Sequence, residues 1–156
     1  MTLNIYTVLT TTPDDNVVGD SLSLPFDMRQ KSRFKAVLES GTEVGIFLER
    51  GKILRDGESL QAENGLVIKL SAAKEHLSTV TSSDTLLLAK LCYHLGNRHI
   101  PLQITTQQIF YQKDSVLDDM VLILGGKVQH QFLPFEPEQG AYSDTHKHVH
   151  TPKLIS

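Results

Sequence analysis

The sequence has very little cysteine, since Cys92 is the only one among 156 residues. A single cysteine excludes an internal disulfide framework of the kind that stabilises small secreted proteins. Long apolar runs are also missing, so no segment is expected to span a bilayer. The first residues, MTLNIY, do not join a basic stretch to an apolar one, so we expect no secretory signal. These absences predict a cytoplasmic protein.

The chain also lacks a large excess of positive or negative charge. The formal net charge is -3, which gives neither nucleic acid nor an anionic membrane an electrostatic reason to bind. Hydrophobic residues make up 40% of the chain and charged residues 21%, close to the average of globular proteins. We therefore expect a packed core.

Catalytic motifs are absent too. The sequence contains no HExxH zinc motif, no nucleophile elbow and no glycine-rich phosphate or dinucleotide loop. The neighbouring carboxylates Asp118 and Asp119 fall on a predicted helix, where adjacent side chains diverge by about 100°. They do not form a catalytic pair, and the sequence predicts a protein that is not an enzyme.

Residues 1–73 are predicted to form a β-rich domain. Residues 32–38 and, in part, 43–48 alternate polar and apolar side chains on either side of turn-forming residues, which indicates a hairpin. The Asn64-Gly65 pair favours a tight type I′ turn that leads into a further strand. Short strands separated by Gly and Asp predict a small β-barrel or sandwich.

Residues 74–143 are predicted to form a ferredoxin-like domain, so that the fold class is α+β. The expected order is βαββαβ, with two helices on one face of a four-stranded antiparallel sheet. Residues 82–84 (Ser-Ser-Asp) are expected to cap the first helix, predicted over residues 83–95, and Asp114 the second. Gly96 is expected to end the first helix with a positive φ, and Gly125-Gly126 to end the second. Residues 144–156 lack periodicity and are predicted to be a flexible tail.

Histidine is the one residue type that is unevenly distributed. Three of the seven histidines, His146, His148 and His150, fall in the last eleven residues. A short His-rich tract on a flexible segment can bind divalent ions such as nickel, copper and zinc. The alternative is a solvated tail without a metal. We predict that this tract contacts metal.

His94 and His99 are the second set of candidate ligands. His94 falls in the last turn of a predicted helix, and His99 falls in the loop before Pro101. Each histidine alone is better explained as a capping or surface residue than as a ligand, because one imidazole does not hold a metal tightly. A site here needs the tail or a second copy of the same loop across a two-fold axis.

The remaining candidates have no ligand-like neighbours in the sequence. His76 and His130 fall in predicted strands, where they are expected to be surface or half-buried residues. Cys92 falls on the apolar stripe of a predicted helix and is expected to be a small core residue.

Residues 93–104 read YHLGNRHIPLQI, and this string closely resembles the urease accessory nickel metallochaperone family. Four further segments, in the expected order, resemble the same family: residues 48–51, 54–58, 114–120 and 134–142. The resemblance implies a β-rich domain that contacts protein partners, followed by a ferredoxin-like domain that binds metal and joins two protomers into a homodimer.

The resemblance also implies a ligand set. His99 of the two protomers would share one nickel, and His146, His148 and His150 would supply further ligands, with zinc or copper able to substitute. The implied partners are the urease accessory GTPase and, through it, apo-urease. Some relatives have histidines just before the second helix, where this chain reads YQKDS, so that peripheral site is expected to be absent.

Nickel delivery for urease maturation is the function that the sequence favours. Two alternatives stay open: an assembly adaptor that binds metal only incidentally, and a metal-dependent hydrolase. The hydrolase would need a carboxylate base near the metal, and Asn97 and Arg98 beside His99 do not provide one.

Overall fold

Two β-sheets and two substantial helices make up the computed structural model of the chain, which describes residues 2–140. The strands are β1 (Leu3–Val8), β2 (Val18–Leu24), β3 (Arg33–Val37), β4 (Glu43–Phe47), β5 (Ser59–Ala62), β6 (Val67–Ala72), β7 (Lys74–Thr81), β8 (Gln103–Ile104), β9 (Gln108–Gln112) and β10 (Val128–Pro134). The helices are the single turn α1 (Phe26–Arg29), α2 (Thr85–Gly96) and α3 (Ser115–Ile123), with a short 3₁₀ turn at Asp15–Val17. None of the helices within residues 2–140 is long and apolar enough to cross a membrane.

The first sheet has six strands in the order β2-β6-β5-β1-β4-β3. The predicted hairpin is confirmed as the antiparallel pair β3 and β4, but β1 pairs in parallel with β4, and β2 with β6. The two edges of this sheet, at β2 and β3, meet each other. Glu39 N donates to Ser21 O at 2.9 Å, and the Ser40 hydroxyl donates a hydrogen bond to the Asp20 carboxylate. One curled sheet therefore encloses the core, in a barrel-like arrangement rather than a sandwich of two sheets. The centre of that core consists of Ile5, Leu22, Val44, Ile46, Leu60 and Ile68.

The turn between β5 and β6 lies where it was predicted but is not of type I′. Among residues 2–140 the only non-glycine residue with positive φ is His99, so Asn64 does not adopt the conformation that a type I′ turn requires. Gly65 alone has positive φ, at 89°, and its N–H donates to Ala62 O. The turn thus has one more residue than the two-residue type, with glycine taking the left-handed position.

The second sheet has four antiparallel strands in the order β10-β7-β9-β8, as the ferredoxin-like prediction requires. Helix α2 packs Leu88, Leu91 and Leu95 into the core. Both predicted caps are confirmed. Within the predicted segment 82–84 the capping residue is Asp84, so the helix begins at Thr85 rather than at residue 83, and its carboxylate accepts from two backbone N–H groups of α2. Asp114 does the same for α3. Each cap satisfies donors that a helix start leaves unpaired.

The end of α2 differs from the prediction. Gly96 is the last helical residue and does not have positive φ; the left-handed residue is His99, with φ 56°. The chain leaves α2 through two tight turns, in which Arg98 N donates to Leu95 O and His99 N to Gly96 O. Ile100 precedes a proline and is therefore biased toward extended backbone. The reversal of direction thus falls on His99.

The two sheets pack against each other through the face of the second sheet that α2 and α3 leave open. Leu77 and Phe110 lie on this face and form a cluster with Phe135 and with Phe26 from α1. The rings of Phe26 and Phe135 meet edge to face, with centroids 5.8 Å apart.

Candidate metal centre

The structure places the two candidate ligands of the described chain at the same end of α2. His94 is half-buried in the last turn, and its ring lies edge to face with Tyr93, centroids 5.2 Å apart. His99 is exposed in the loop, five residues further on. The other predicted ligands, His146, His148 and His150, lie outside the described residues.

The chemistry of this loop is that of an accessible but incomplete site. Unpaired carbonyls at the end of a helix favour a nearby cation. Within residues 2–140, no three His, Cys, Asp or Glu side chains converge to hold a metal ion. Imidazole from His99 therefore needs ligands from elsewhere to bind nickel tightly.

Several apolar side chains of α2 and α3 are exposed. On α2, Leu86 and Tyr93 point outward and are 63% and 66% exposed. On α3, which packs on the same face of the sheet, Val116, Leu122 and Ile123 are also exposed, the last of them by 85%. Exposed apolar side chains are typical of surfaces on which another protein packs when they form a contiguous patch.

A polar network inside the second domain was not found from the sequence. The Tyr111 hydroxyl donates to Asp118 Oδ1 at 2.6 Å, and His130 Nε2 lies 2.7 Å from Asp118 Oδ2. His130 is partly exposed, as expected for a strand histidine, but it is bonded to a buried carboxylate. The only sequence signal was that alternation in β10 puts His130 on the same face as Val128, toward the helices.

The network changes the proton affinity of its members. Burial raises the pKa of Asp118, but the Ser78 hydroxyl, the Tyr111 phenol and the His130 ring outweigh it, so the net pKa is lowered. Burial and the Asp118 charge raise the pKa of Tyr111. Both groups keep their usual charge at neutral pH, so the network is a structural tie between β9, α3 and β10.

Cys92 packs at the margin of the core beside Leu91 and Leu95, as the sequence predicted. Burial raises the pKa of its thiol, so the thiolate that binds metals is disfavoured there.

Comparison with known proteins identifies one protein family over both domains. The family model "UreE urease accessory protein, N-terminal domain" matches residues 5–73, and "UreE urease accessory protein, C-terminal domain" matches residues 75–154. Urease accessory protein UreE of Alkalilimnicola ehrlichii is 57% identical over 122 residues, 78% of this chain and 75% of its own length.

Two further relatives agree. The protein of the same name from Citrobacter koseri is 51% identical over 135 residues, 85% of this chain and 89% of its own length. That from Proteus mirabilis is 51% identical over 122 residues, 78% of this chain and 76% of its own length. The chain therefore belongs to the UreE family of urease accessory proteins, a family of accessory chaperones that acts in urease maturation.

Proposed function

We propose that the protein is a nickel metallochaperone, which binds nickel as a homodimer in the cytoplasm and delivers it to apo-urease through the urease accessory GTPase. Residues 74–143 bind the metal and form the dimer, residues 1–73 bind protein partners, and residues 144–156 supply further ligands. The observation that carries the proposal is His99, an exposed imidazole in the loop that follows α2, a helix whose outward side chains Leu86 and Tyr93 are apolar and exposed.

The dimer completes the site that one protomer leaves incomplete. If two copies of the chain pack about a two-fold axis that passes close to the His99 loop, the two His99 side chains come together, because a residue meets its own symmetry mate only near the axis. Burial of exposed apolar side chains such as Tyr93 would drive this association, and two imidazoles would then face one ion.

The tail histidines His146, His148 and His150, and less directly His94, complete the ligand set in this proposal. Nickel accepts imidazole ligands, and copper and zinc compete for the same donors, so selectivity depends on the partner and on metal supply. Two fixed imidazoles with exchangeable tail ligands bind nickel while leaving positions open for the receiving protein.

Titration calorimetry with light scattering tests the proposal. We expect a dimer that binds about one nickel tightly, with the tight site lost in His99→Asn, which removes the imidazole but tolerates left-handed backbone. One tight nickel per monomer that is unchanged by His99→Asn would refute it. Hydrolytic turnover by the metal-loaded protein would point to the hydrolase alternative instead.

The affinity should also fall with pH. Free histidine side chains titrate near 6.5, and only neutral imidazole has a lone pair for the metal. We expect nickel binding to weaken as the pH drops below about 6.5. An affinity that is constant between about pH 8 and 5.5 would indicate carboxylate or backbone ligands.

A cavity in the first domain favours the adaptor as the second candidate function. It has a volume of about 890 Å³ and lies where β1 ends, between the segments that follow β4 and precede β5. Its lining includes Tyr6, Thr10, Glu49, Lys52 and Glu58. The adaptor would activate urease equally well with His99→Asn, whereas the metallochaperone would not.

A further inference from the structure

The cavity of the first domain lies where two paired strands separate. Strand β1 pairs in parallel with β4 only as far as Ile5. The chain after β4 stays beside the start of β3, since Leu48 N donates to Ser32 O at 2.7 Å. The chain of β1 continues along β5 instead, and Leu9 N donates to Ser59 O at 2.8 Å. A cleft therefore opens between the two diverging chains.

The open side of β1 forms one wall of this cleft. Residues 6–12 line it on that side, Leu48, Glu49 and Lys52 line it from the segment after β4, and residues 56–59 complete the lining. Thr7 and Val8 pair with β5 but with no residue of β4. A strand edge of this kind can bind an extended segment through backbone hydrogen bonds. The volume of about 890 Å³ lies within the range of ligand sites.

The charges of the cleft favour a cation. The lining contains three carboxylates, those of Glu49, Asp56 and Glu58, and one ammonium group, that of Lys52. Lys52 Nζ lies 3.3 Å from Glu58 Oε1, so these two charges balance each other. Glu49 and Asp56 are exposed and leave two negative charges unbalanced. A concave surface with an excess of one charge attracts groups of the opposite charge.

The arginines near the cleft lie outside its lining. Arg33 is opposite Phe47 on β3, so β4 separates it from β1. Arg50 is exposed to solvent. Arg55 is engaged with the second domain, where it donates to Pro137 O at 2.7 Å. The negative charge of the lining therefore stays available to an occupant.

A stacked pair of rings stands at one wall of the cleft. Tyr6 belongs to the lining, and its ring stacks on Phe47 with centroids 5.4 Å apart. The two side chains are 56% and 38% exposed. Gly45 leaves room for this arrangement, because a β-carbon there would lie only 3.1 Å from Phe47 Cε2. Exposed rings of this kind bind the apolar stems and the charged heads of lysine and arginine.

We propose that this cleft binds an extended segment of a partner protein and takes up one lysine or arginine side chain of that segment. The backbone of the segment pairs with the open side of β1. The stem of the basic side chain lies against Tyr6, and Glu49 and Asp56 stabilise its charge. This inference rests on the part of the proposed function that assigns partner binding to the first domain, and it names the chemistry that the partner presents.

The first experiment titrates the full-length, metal-free protein with short peptides and follows its backbone amide signals by NMR. The probe is the acetylated and amidated peptide TVKVT, and TVQVT and TVEVT are its matched controls. We expect the lysine peptide to shift the signals of residues 6–12, 48–52 and 56–59. It should bind about two- to fivefold more tightly than the glutamine peptide, as expected for exposed ion pairs, and the glutamate peptide should bind most weakly.

Charge-removing variants test which carboxylates recognise the cation. Glu49→Gln should weaken binding of the lysine peptide about twofold, and Asp56→Asn, which keeps the oxygen that accepts from Ala72 N, should act in the same way. The double variant should lose the preference for lysine over glutamine. Glu43→Gln, at an exposed carboxylate of β4 outside the lining, should keep it. A double variant that keeps the full preference would overturn the role of these carboxylates.

Backbone pairing is tested with N-methylated versions of the lysine peptide. In an extended segment, successive residues direct their N–H groups to opposite sides. N-methylation of one alternate set of residues should therefore abolish binding, while methylation of the other set should leave it unchanged. N-acetyl-lysine amide should bind more weakly than the peptide. If this single residue bound as tightly, the segment would not pair with β1, and the proposal would be wrong.

These peptide titrations need no nickel, so they separate failure of this inference from failure of the metal function. Nickel affinity should be the same in Glu49→Gln as in the unchanged protein, because His99 belongs to the other domain. Amide shifts that are absent, or that fall outside the cleft, would overturn the inference even if nickel binds at His99. Shifts within the cleft of a protein without a tight nickel site would support it and count against the metallochaperone.

Discussion

His99 combines two demands that usually fall on different residues. It is the exposed imidazole of the candidate site, and it is also the residue that reverses the chain after α2, with φ 56°. A side chain with a β-carbon costs about 1–2 kcal/mol in this conformation, and glycine avoids most of that cost. The local sequence offers glycine at position 96, yet the reversal occurs at the histidine, which fixes where the imidazole leaves the backbone.

Replacing His99 should therefore show the backbone strain. We expect His99→Gly to be about 1 kcal/mol more stable than His99→Ala, because alanine keeps the β-carbon at positive φ. Urea unfolding of the two variants gives the comparison. Asn97, with φ -64°, is the matched control, and there alanine should be the more stable substitution. The same ranking at both positions would contradict the left-handed assignment of His99.

At the scale of the elements, local signals in the sequence were sufficient for the second domain. Asp84 and Asp114 cap helices because their carboxylates accept from nearby N–H groups, and this chemistry depends only on neighbours in the chain. The sequence analysis did not find β1, β2 and β5, nor the turn α1. Strands β1 and β2 pair in parallel with distant strands, so their partners are fixed by the whole fold.

One part of the candidate site and its surroundings could be predicted from the local sequence, and another part could not. The loop with His94 and His99 could be found from its motif, whereas the Asp118–His130 contact could not. That contact joins α3 to β10 and depends on how the helix packs over the sheet. The bonds from Arg29 to Phe135 O and to the Glu136 carboxylate join the two domains, and no short-range sequence pattern predicts them.

The Asp118 network should make stability depend on pH. Its pKa is lowered from 3.8, so its contribution is complete above pH 3.8 and is lost as the pH falls through the folded-state value. We expect Asp118→Asn to lower the free energy of unfolding by about 1–3 kcal/mol at pH 7, and by progressively less below pH 3.8. Urea titrations at several pH values measure this. Asp119→Asn, on the exposed side of α3, should show neither effect.

The outward face of α2 should control association. Tyr93→Glu places a charge at the centre of the proposed interface, and a charge buried there without a partner opposes dimer formation. Light scattering should show a monomer, while Tyr6→Glu, at another exposed tyrosine, which lies on the first sheet, should stay dimeric. A Tyr93→Glu protein that remains a dimer would place the interface elsewhere.

At the scale of the whole molecule, the first domain and the segment after His99 are connected through residues 135–138. Phe135 packs at the junction of the two sheets, the Glu136 carboxylate accepts from Arg29 of the first domain, and Glu138 N donates to Leu102 O. The chain after β10 therefore contacts both domains.

Removing the tail tests how much of the nickel binding comes from His99 and how much from the tail histidines. Ordering a free segment costs about 1–2 kcal/mol of backbone entropy per residue fixed, which offsets much of what each added imidazole contributes. The tail histidines should therefore bind more weakly than the pair formed by His99 in the dimer, and an ion held by them is more easily passed on. We expect a chain that ends at Tyr142 to keep its fold, its dimer and one nickel per dimer, with fewer additional ions or a weaker affinity in nickel titration. If this truncation abolished all nickel binding, the tail would be the primary site, and the assignment of His99 would be wrong.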